Sequence, residues 1–505
     1  MTEGESRHRV LITAVVMLAA VMQILDTTIV TVALPHMQGQ LGATADEIGW
    51  VLTSYLISSG IFMPLTGFMT DRFGQRNYLI VSIAGFTAAS MLCGLATSLD
   101  QIVIFRLLQG VAGAGLVPSA QAILVNAYPA EERGRAMAIF GVGAMIGPIM
   151  GPTLGGYLTQ VLDWRWTFFI NLPVGILTLL GTWAIVPDSE RRERHADWWG
   201  FGFLVIAVAT MQYVLDRGQE LGWFGSHLIQ VLTVVGLFAT VCLILRNWEM
   251  GSHAIFDLRL FKDRNFGISA LILATFMFSM YGVLELQPLM LESSLGYPAF
   301  KTGLVLAPRG AASMLSMFLA GRLITRVGAK PLIVSGIACT LFGTLVTTWY
   351  TPEVDPWWII WPILIQGFGL GLVFVPLATV SFATLPREQA AEAAGIRQLS
   401  RSIGASLGIS VGGAVMVQET QAAWNQMAGH VTPFSSAVSQ YLAPLGLSWH
   451  SPMGGAMLAQ VVGKQAHFLG ILDAFDVMAW TVVLGLPLLL LIRKGIGKHR
   501  KLETA

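Results

Sequence analysis

Charge is scarce in this sequence. Asp, Glu, Lys and Arg make up 12% of its 505 residues, about half the share of an ordinary soluble domain. That shortage excludes a solvated globular fold. The basic residues are scattered over short segments and the formal net charge is +1, so no nucleic-acid partner is expected. Cysteine is rare as well. Cys93, Cys242 and Cys339 lie far apart inside apolar runs, which argues for small core residues and against a disulfide framework. The histidines show no metal-ligand spacing, and no G-x4-G-K-[ST] stretch occurs, so neither a metal centre nor ATP hydrolysis is expected. The ten-residue alternation of an outer-membrane barrel is missing. No compact nucleophile–base constellation of an enzyme stands out, and the short stretch after Arg493 is not expected to form the output domain of a sensor.

What the chain has is long apolar runs. Hydrophobic residues make up 54% of it and the mean hydropathy is +0.66. Runs of about 20 apolar residues recur along its length, each long enough to cross a bilayer core as a helix. We expect an all-α polytopic membrane protein. Its fourteen helices are placed near 10–34, 48–70, 78–98, 101–126, 136–160, 165–186, 198–215, 227–245, 266–290, 302–321, 331–350, 357–380, 395–416 and 471–492. The first run is too long for a signal-peptide core and reads as a retained helix. With the N-terminus in the cytoplasm, 22 of the 30 Lys and Arg fall in inner segments and 4 in outer ones. That asymmetry puts both termini inside.

The sequence also repeats. Gly67, Arg72, Gly74 and Arg76 return as Gly321, Arg326, Gly328 and Lys330, 254 residues later. Gln109, Gly110, Pro129, Glu131 and Gly147 return as Gln366, Gly367, Pro386, Glu388 and Gly404, 257 later. The expected organisation is a six-helix half over 1–197, two inserted central helices over 198–250, and a second six-helix half over 251–505 with a long outer loop near 417–470. Repeated halves around a midplane site are the build of many secondary transporters.

Four charges fall inside apolar runs and become site candidates. Asp26 and Arg106 lie at similar depths in the first and fourth helices, and neither has a charged counterpart in the second half, where Ile363 stands at the repeat offset from Arg106. Asp26 is expected to carry protons or meet substrate, with Arg106 tuning its ionisation; the alternative is a fixed ion pair that orders the bundle. Glu285, three residues before Pro288, and Arg309 on the next helix form a second candidate pair. Arg397 and Arg401 are one turn apart and are expected to anchor to headgroups or meet Asp71, with contact to substrate as the alternative. Asp473 and Asp476 are expected to open the last helix, favoured by its dipole.

Two stretches look like moving parts. In 67–76, Gly67 and Gly74 permit a tight inner turn, Asp71 can face a helix N-terminus or a cation, and Arg72 and Arg76 anchor the inner side. In 141–156, Gly143, Gly147, Gly151 and Gly155 recur at a four-residue step and Pro148 and Pro152 interrupt the helix. A bent, closely packed helix of this kind is expected at the interface of the two halves.

The spacing G-x3-D-R-x-G-x-R in GFMTDRFGQR resembles the loop signature of the major facilitator superfamily. LDTTIVTVALP, FRLLQGVAGAG and GVGAMIGPIMGPTLGG resemble the first-, fourth- and fifth-helix motifs of its drug:proton antiporters, and the two inserted helices point to their fourteen-helix group. DWRWTFFINLPVG, LDRGQELGWF and LRLFKDRNF are similar to the multidrug exporters of that group. The resemblance implies the major facilitator fold and export of lipophilic small molecules across the inner membrane by exchange for protons. The proton gradient would drive it, without a cofactor. It further implies a tripartite pump, in which the outer loop meets a periplasmic membrane-fusion adaptor and an outer-membrane channel. A transporter of a specific metabolite, siderophore or fatty acid in the same fold is the alternative.

Overall fold

A computed structural model describes residues 3–129, 132–189, 191, 197–218, 221–251, 257–432, 435–448 and 450–492. Among them fourteen helices are long and apolar enough to cross a membrane, and no strand occurs. They are α1 His8–Leu41, α2 Trp50–Phe73, α3 Gln75–Leu95, α4 Leu99–Ala127, α5 Arg133–Val161, α6 Trp166–Ile185, α7 Trp198–Leu215, α8 His227–Met250, α9 Arg264–Ser294, α10 Lys301–Val327, α11 Ala329–Thr347, α12 Pro356–Ser381, α13 Ala390–His430 and α14 Pro452–Leu491.

Helix pairing follows one scheme twice. In the first half α1 packs on α5 and α6, α2 on α4, and α3 on α4 and α6. In the second half α9 packs on α13 and α14, α10 on α12, and α11 on α12 and α14. Across the seam α5 meets α10 and α12, while α13 meets α2 and α4. The inserted pair α7–α8 lies against α2, and α7 also reaches α13.

The seam is shut at the cytoplasmic end. Leu116–Val125 of α4, Gly369–Ser381 of α12 and Ala390–Arg397 of α13 are buried without a break. Glycines let the backbones meet there: a Cβ on Gly395 would lie 2.8 Å from the Met63 carbonyl oxygen. Arg133, at the start of α5, donates through Nη1 to the Phe382 carbonyl at 2.9 Å. Phe382 caps the C-terminus of α12, where a cation is favoured by the helix dipole.

The outer segment near 417–470 is not a loop. The helix of α13 runs unbroken for 41 residues, to His430, and α14 begins at Pro452. At 1.5 Å per residue α13 spans about 61 Å, twice a bilayer core of about 30 Å. The stretch QETQAAWNQMA has no proline or glycine to end a helix. Its partner is α14: a Cβ on Gly470 would sit 2.6 Å from the Met416 carbonyl oxygen, and one on Gly463 would sit 3.1 Å from the Trp424 ring. A short helix, Ser436–Leu442, folds over the tip, where Val438, Leu442 and Leu458 form a small core. Asp473 and Asp476 therefore lie inside α14, about six turns after its start at Pro452, and both are exposed. The helix-dipole reading of these two acids does not hold.

Candidate functional site

The sequence DWRW, just before α6, fastens the outer end of the first half. The Trp164 indole donates to Gln40 Oε1 at 2.8 Å, Arg165 donates to the same oxygen at 2.8 Å, and the Arg165 guanidinium lies 4.4 Å over the Trp164 ring. Burial works against ionisation of Asp163, but the Arg165 amide and the Gln40 and Arg165 side chains outweigh it and hold its carboxyl below its ordinary range. This clip sets α6 beside α1 and so aims Asn171, six residues on from Arg165, at the middle of the bundle.

There Asp26 is fully buried, 0% exposed, as are Arg106 and Gln109. Arg106 Nη1 donates to Asp26 Oδ2 at 2.6 Å. Gln109 Nε2 and Asn171 Nδ2 each donate to Oδ1 at 2.9 Å. Arg106 and Gln109 are three residues apart on α4 and so share a face, and Arg106 Nη1 also donates to Gln109 Oε1 at 2.7 Å. The guanidinium is held further by the Val51 carbonyl, 3.0 Å from Nε, and lies 4.3 Å over the Tyr55 ring. Asn171 reaches Ser90 Oγ at 3.0 Å, and Ser90 donates to the Phe168 carbonyl at 2.9 Å. The helices α1, α2, α3, α4 and α6 thus converge on one carboxylate. Three donors face its oxygens.

The glycine stripe explains how α1 is kept in place. A Cβ on Gly147 would lie 2.9 Å from the Leu25 amide nitrogen, one on Gly155 would lie 2.8 Å from the Ile29 carbonyl oxygen, and Gly143 and Gly151 abut Met17 and Thr28. Thr28 Oγ1 donates to the Gly147 carbonyl at 3.0 Å. The stripe therefore packs on α1 within its own half, on both sides of Asp26. The expected place at the interface between halves belongs instead to the other face of α5, where Gly134 and Gly141 abut Ile324 and Met317 of α10. The helix is interrupted at Met145, three residues before Pro148, whose ring lacks an amide proton and crowds the preceding turn. The side chain of Pro152 lies outside the described residues.

In the inner turn, Gly74 has φ +85°, and a Cβ there would sit 2.8 Å from Asp188 Oδ1. Only glycine takes that backbone without strain. Arg76 Nη2 lies 3.5 Å from Asp188 Oδ2, a half-exposed pair within the first half. Gly67 faces the second half: a Cβ would lie 2.6 Å from Cβ and 2.8 Å from Cα of Glu392. Asp71 is half-buried and Arg72 exposed.

The second half holds a different cluster. Arg309 of α10 donates through Nη2 to Gln287 Oε1 of α9 and, at 3.0 Å, to Gln366 Oε1 of α12. Gln287 Nε2 donates to Gln366 Oε1 at 3.0 Å, and Gln366 Nε2 reaches Thr344 Oγ1 at 3.4 Å. Glu285, the acid expected beside Arg309, is exposed two residues before Gln287 on α9. Sequence reading missed Gln109, Asn171, Ser90, Tyr55 and Gln287, which carry no charge to mark them in an apolar run. Arg397 is 1% exposed at the shut seam, and Arg401 Nη2 donates to the Tyr281 hydroxyl at 2.9 Å.

Two pseudo-repeated helical halves, closed at one end over a sequestered ion pair, define a secondary transporter of the membrane. Residues 16–409 match the Major Facilitator Superfamily, and the chain belongs to it. It is 33% identical to the multidrug export protein EmrB of Escherichia coli K12 over 95% of both chains. It is 32% identical to the fatty acid resistance protein FarB of Neisseria gonorrhoeae, over 95% of this chain and 96% of that one. Among solved structures, the human organic anion transporter MFSD10 shares the fold, with TM-score 0.64, 14% identity, and coverage of 95% of this chain and 99% of that one.

Proposed function

We propose that the protein exports lipophilic compounds in exchange for protons by alternating access. The observation that carries this reading is the Asp26 carboxylate, sealed from solvent and held by Arg106, Gln109 and Asn171. A proton on Asp26 cancels the charge that holds Arg106, Gln109 and Asn171 together. The anchor of α1 to α4 and α6 is then weakened. Loss of the proton restores it. An intramembrane acid whose protonation state changes helix packing is the element that couples a proton gradient to a conformational cycle. The glycine stripe of α5 clamps α1 around Asp26, so a shift of α1 is passed to α5 and from there across the seam to α10. The names of EmrB and FarB support export of toxic lipophilic molecules. The proton gradient is the driving force in this reading, with no cofactor and no covalent chemistry.

The helical extension of α13 and α14 reaches beyond the outer face, and we assign it the docking of a periplasmic membrane-fusion adaptor that leads on to an outer-membrane channel. The decisive test of the transport reading is efflux of a panel of lipophilic dyes from proteoliposomes under an imposed pH gradient. Wild-type protein is expected to accelerate efflux only when the gradient is present. Equal rates with and without it would overturn proton coupling.

A further inference from the structure

Arg397 sits where the two halves meet, and the mechanism above leaves it unused. It is 1% exposed. Its Nη1 reaches Gln121 Oε1 of α4 at 3.4 Å, a long bond. Its guanidinium carbon lies 5.0 Å over the Phe374 ring of α12. Among the described residues no carboxylate pairs with it. The nearby acid on its own helix, Glu392, accepts from the Asp257 amide at 2.5 Å. The neighbouring cation Arg401, one turn on, adds charge of the same sign.

Two of its nitrogens, Nε and Nη2, are buried without a hydrogen-bond acceptor. These two N–H groups lie side by side along one edge of the guanidinium plane. That edge matches the two oxygens of a carboxylate, which it binds with two parallel hydrogen bonds. Arg76, Arg106, Arg133 and Arg309 each leave one buried nitrogen without an acceptor, whereas Arg397 leaves two on one edge, the pair that a planar two-oxygen anion needs, and burying them without an acceptor is costly.

We propose that the Nε–Nη2 edge of Arg397 is a binding site for the carboxylate of a lipophilic substrate, reached from the cytoplasmic side when the seam opens. This inference rests on the exporter reading and names the substrate chemistry for it. A carboxylate on Arg397 removes the penalty of burying an unsatisfied cation, so the seam closes more readily around an anionic substrate than around nothing. A carboxyl side chain of this chain, brought to Arg397 in another conformation, has the same chemistry, and the test separates the two sources.

The full-length protein in nanodiscs is titrated with a dansylated eleven-carbon carboxylate and with its methyl ester. Wild type is expected to bind the carboxylate more tightly than the ester. Arg397→Gln is expected to lose about tenfold or more of that preference and to leave ester binding unchanged. Arg397→Lys, which keeps charge and loses the fork, is expected to fall between them, and it carries the test if the Gln variant does not fold. Equal preference in all three proteins, or none in wild type, overturns the site. Parallel weakening of carboxylate and ester also overturns it, because Arg397 then serves the chain's own packing. The transport reading is tested separately, by gradient-driven efflux of the ester. Its failure beside an intact carboxylate preference would remove the pump and leave the site.

Discussion

The two halves share a pairing scheme but not a charge. In the first half the buried cluster is Asp26, Arg106, Gln109 and Tyr55, and the arginine comes from α4. In the second it is Gln287, Gln366 and Arg309, and the arginine comes from α10. Arg309 lies 254 residues after Tyr55, the offset that also relates Gly67 to Gly321. Gln287 stands to Gln366 as Asp26 stands to Gln109, on repeat-related helices. One scaffold therefore carries a neutral ion pair in one copy and a cation on amide oxygens in the other. Of these two buried clusters, only the first contains a carboxylate that a proton neutralises. An amide gives hydrogen bonds that do not change between pH 5 and 8, so in the proposed cycle the second cluster is a fixed joint and the first a switch.

The most severe way to break this comparison is Asp26→Asn, which turns the switch into a second fixed joint. Gradient-driven efflux is expected to fall to background, a loss of at least about a hundredfold, while the variant stays monodisperse after extraction. An amide still accepts from Arg106, so folding has a partner for the cation, whereas an uncompensated buried arginine costs several kcal/mol. Wild-type efflux by this variant would leave the first cluster structural. The double variant Asp26→Asn with Gln287→Asp moves the acid to the other half. It is expected to remain inactive: the glycine clamp is repeated there, with Gly404 and Gly408 of α13 against Ala274 and Phe278 of α9, but the cation Arg309 comes from α10 and not from α12, the repeat partner of α4; recovered transport would show the two halves to be interchangeable.

Next in size is the clamp. Gly151→Leu puts a large side chain where Thr28 abuts the backbone, and Gly147→Leu drives one into the Leu25 amide. Overpacking of this kind costs about 1–3 kcal/mol. Transport is expected to drop roughly tenfold, with a lowered melting temperature. A control at Gly413, where a Cβ meets nothing within 4 Å, should change neither. Normal pumping by both leucine variants would show that α1 does not ride on α5. The single variant Gln287→Asp sharpens the same contrast from the other side. It gives Arg309 a carboxylate in place of an amide, and a rise of a few degrees in melting temperature is expected, since an unpaired buried charge is the costlier state. No rise would mean that Arg309 is already compensated by its two glutamines.

How much of this was legible in the sequence follows from what hydropathy can detect. It picks out charge in an apolar run, so Asp26, Arg106 and Arg309 stood out, and so did Glu285, which turned out to be exposed. It passes over Asn171 and Gln287, whose amides are ordinary in helices, although they decide what the charges touch. The glycine step at 143, 147, 151 and 155 showed that a helix comes close, but a one-dimensional pattern does not say which helix. Hydropathy also measures membrane thickness and not helix length. It therefore ended the thirteenth helix near residue 416, where the apolar stretch ends and the helix does not.

The outer extension supplies the mildest test, because it has no counterpart in the first half and the transport cycle does not need it. Its two helices touch at Thr420 with Gly470 and at Trp424 with Gly463, and a separate small core of Val438, Leu442 and Leu458 closes the tip. Removing residues 425–455 takes away the tip and most of that core but keeps both inter-helix contacts. The membrane-embedded halves should fold as before. Efflux from proteoliposomes is expected to stay within about twofold of wild type, since α13 and α14 still pair at their membrane ends. Cellular resistance is expected to fall, because handing substrate across a periplasm needs a surface for a second protein. Cysteines placed on the exposed face of the tip should cross-link to a co-expressed adaptor. If liposome efflux is lost, the tip belongs to the substrate path. If resistance is untouched, the extension docks nothing, and export ends at the outer face of the inner membrane.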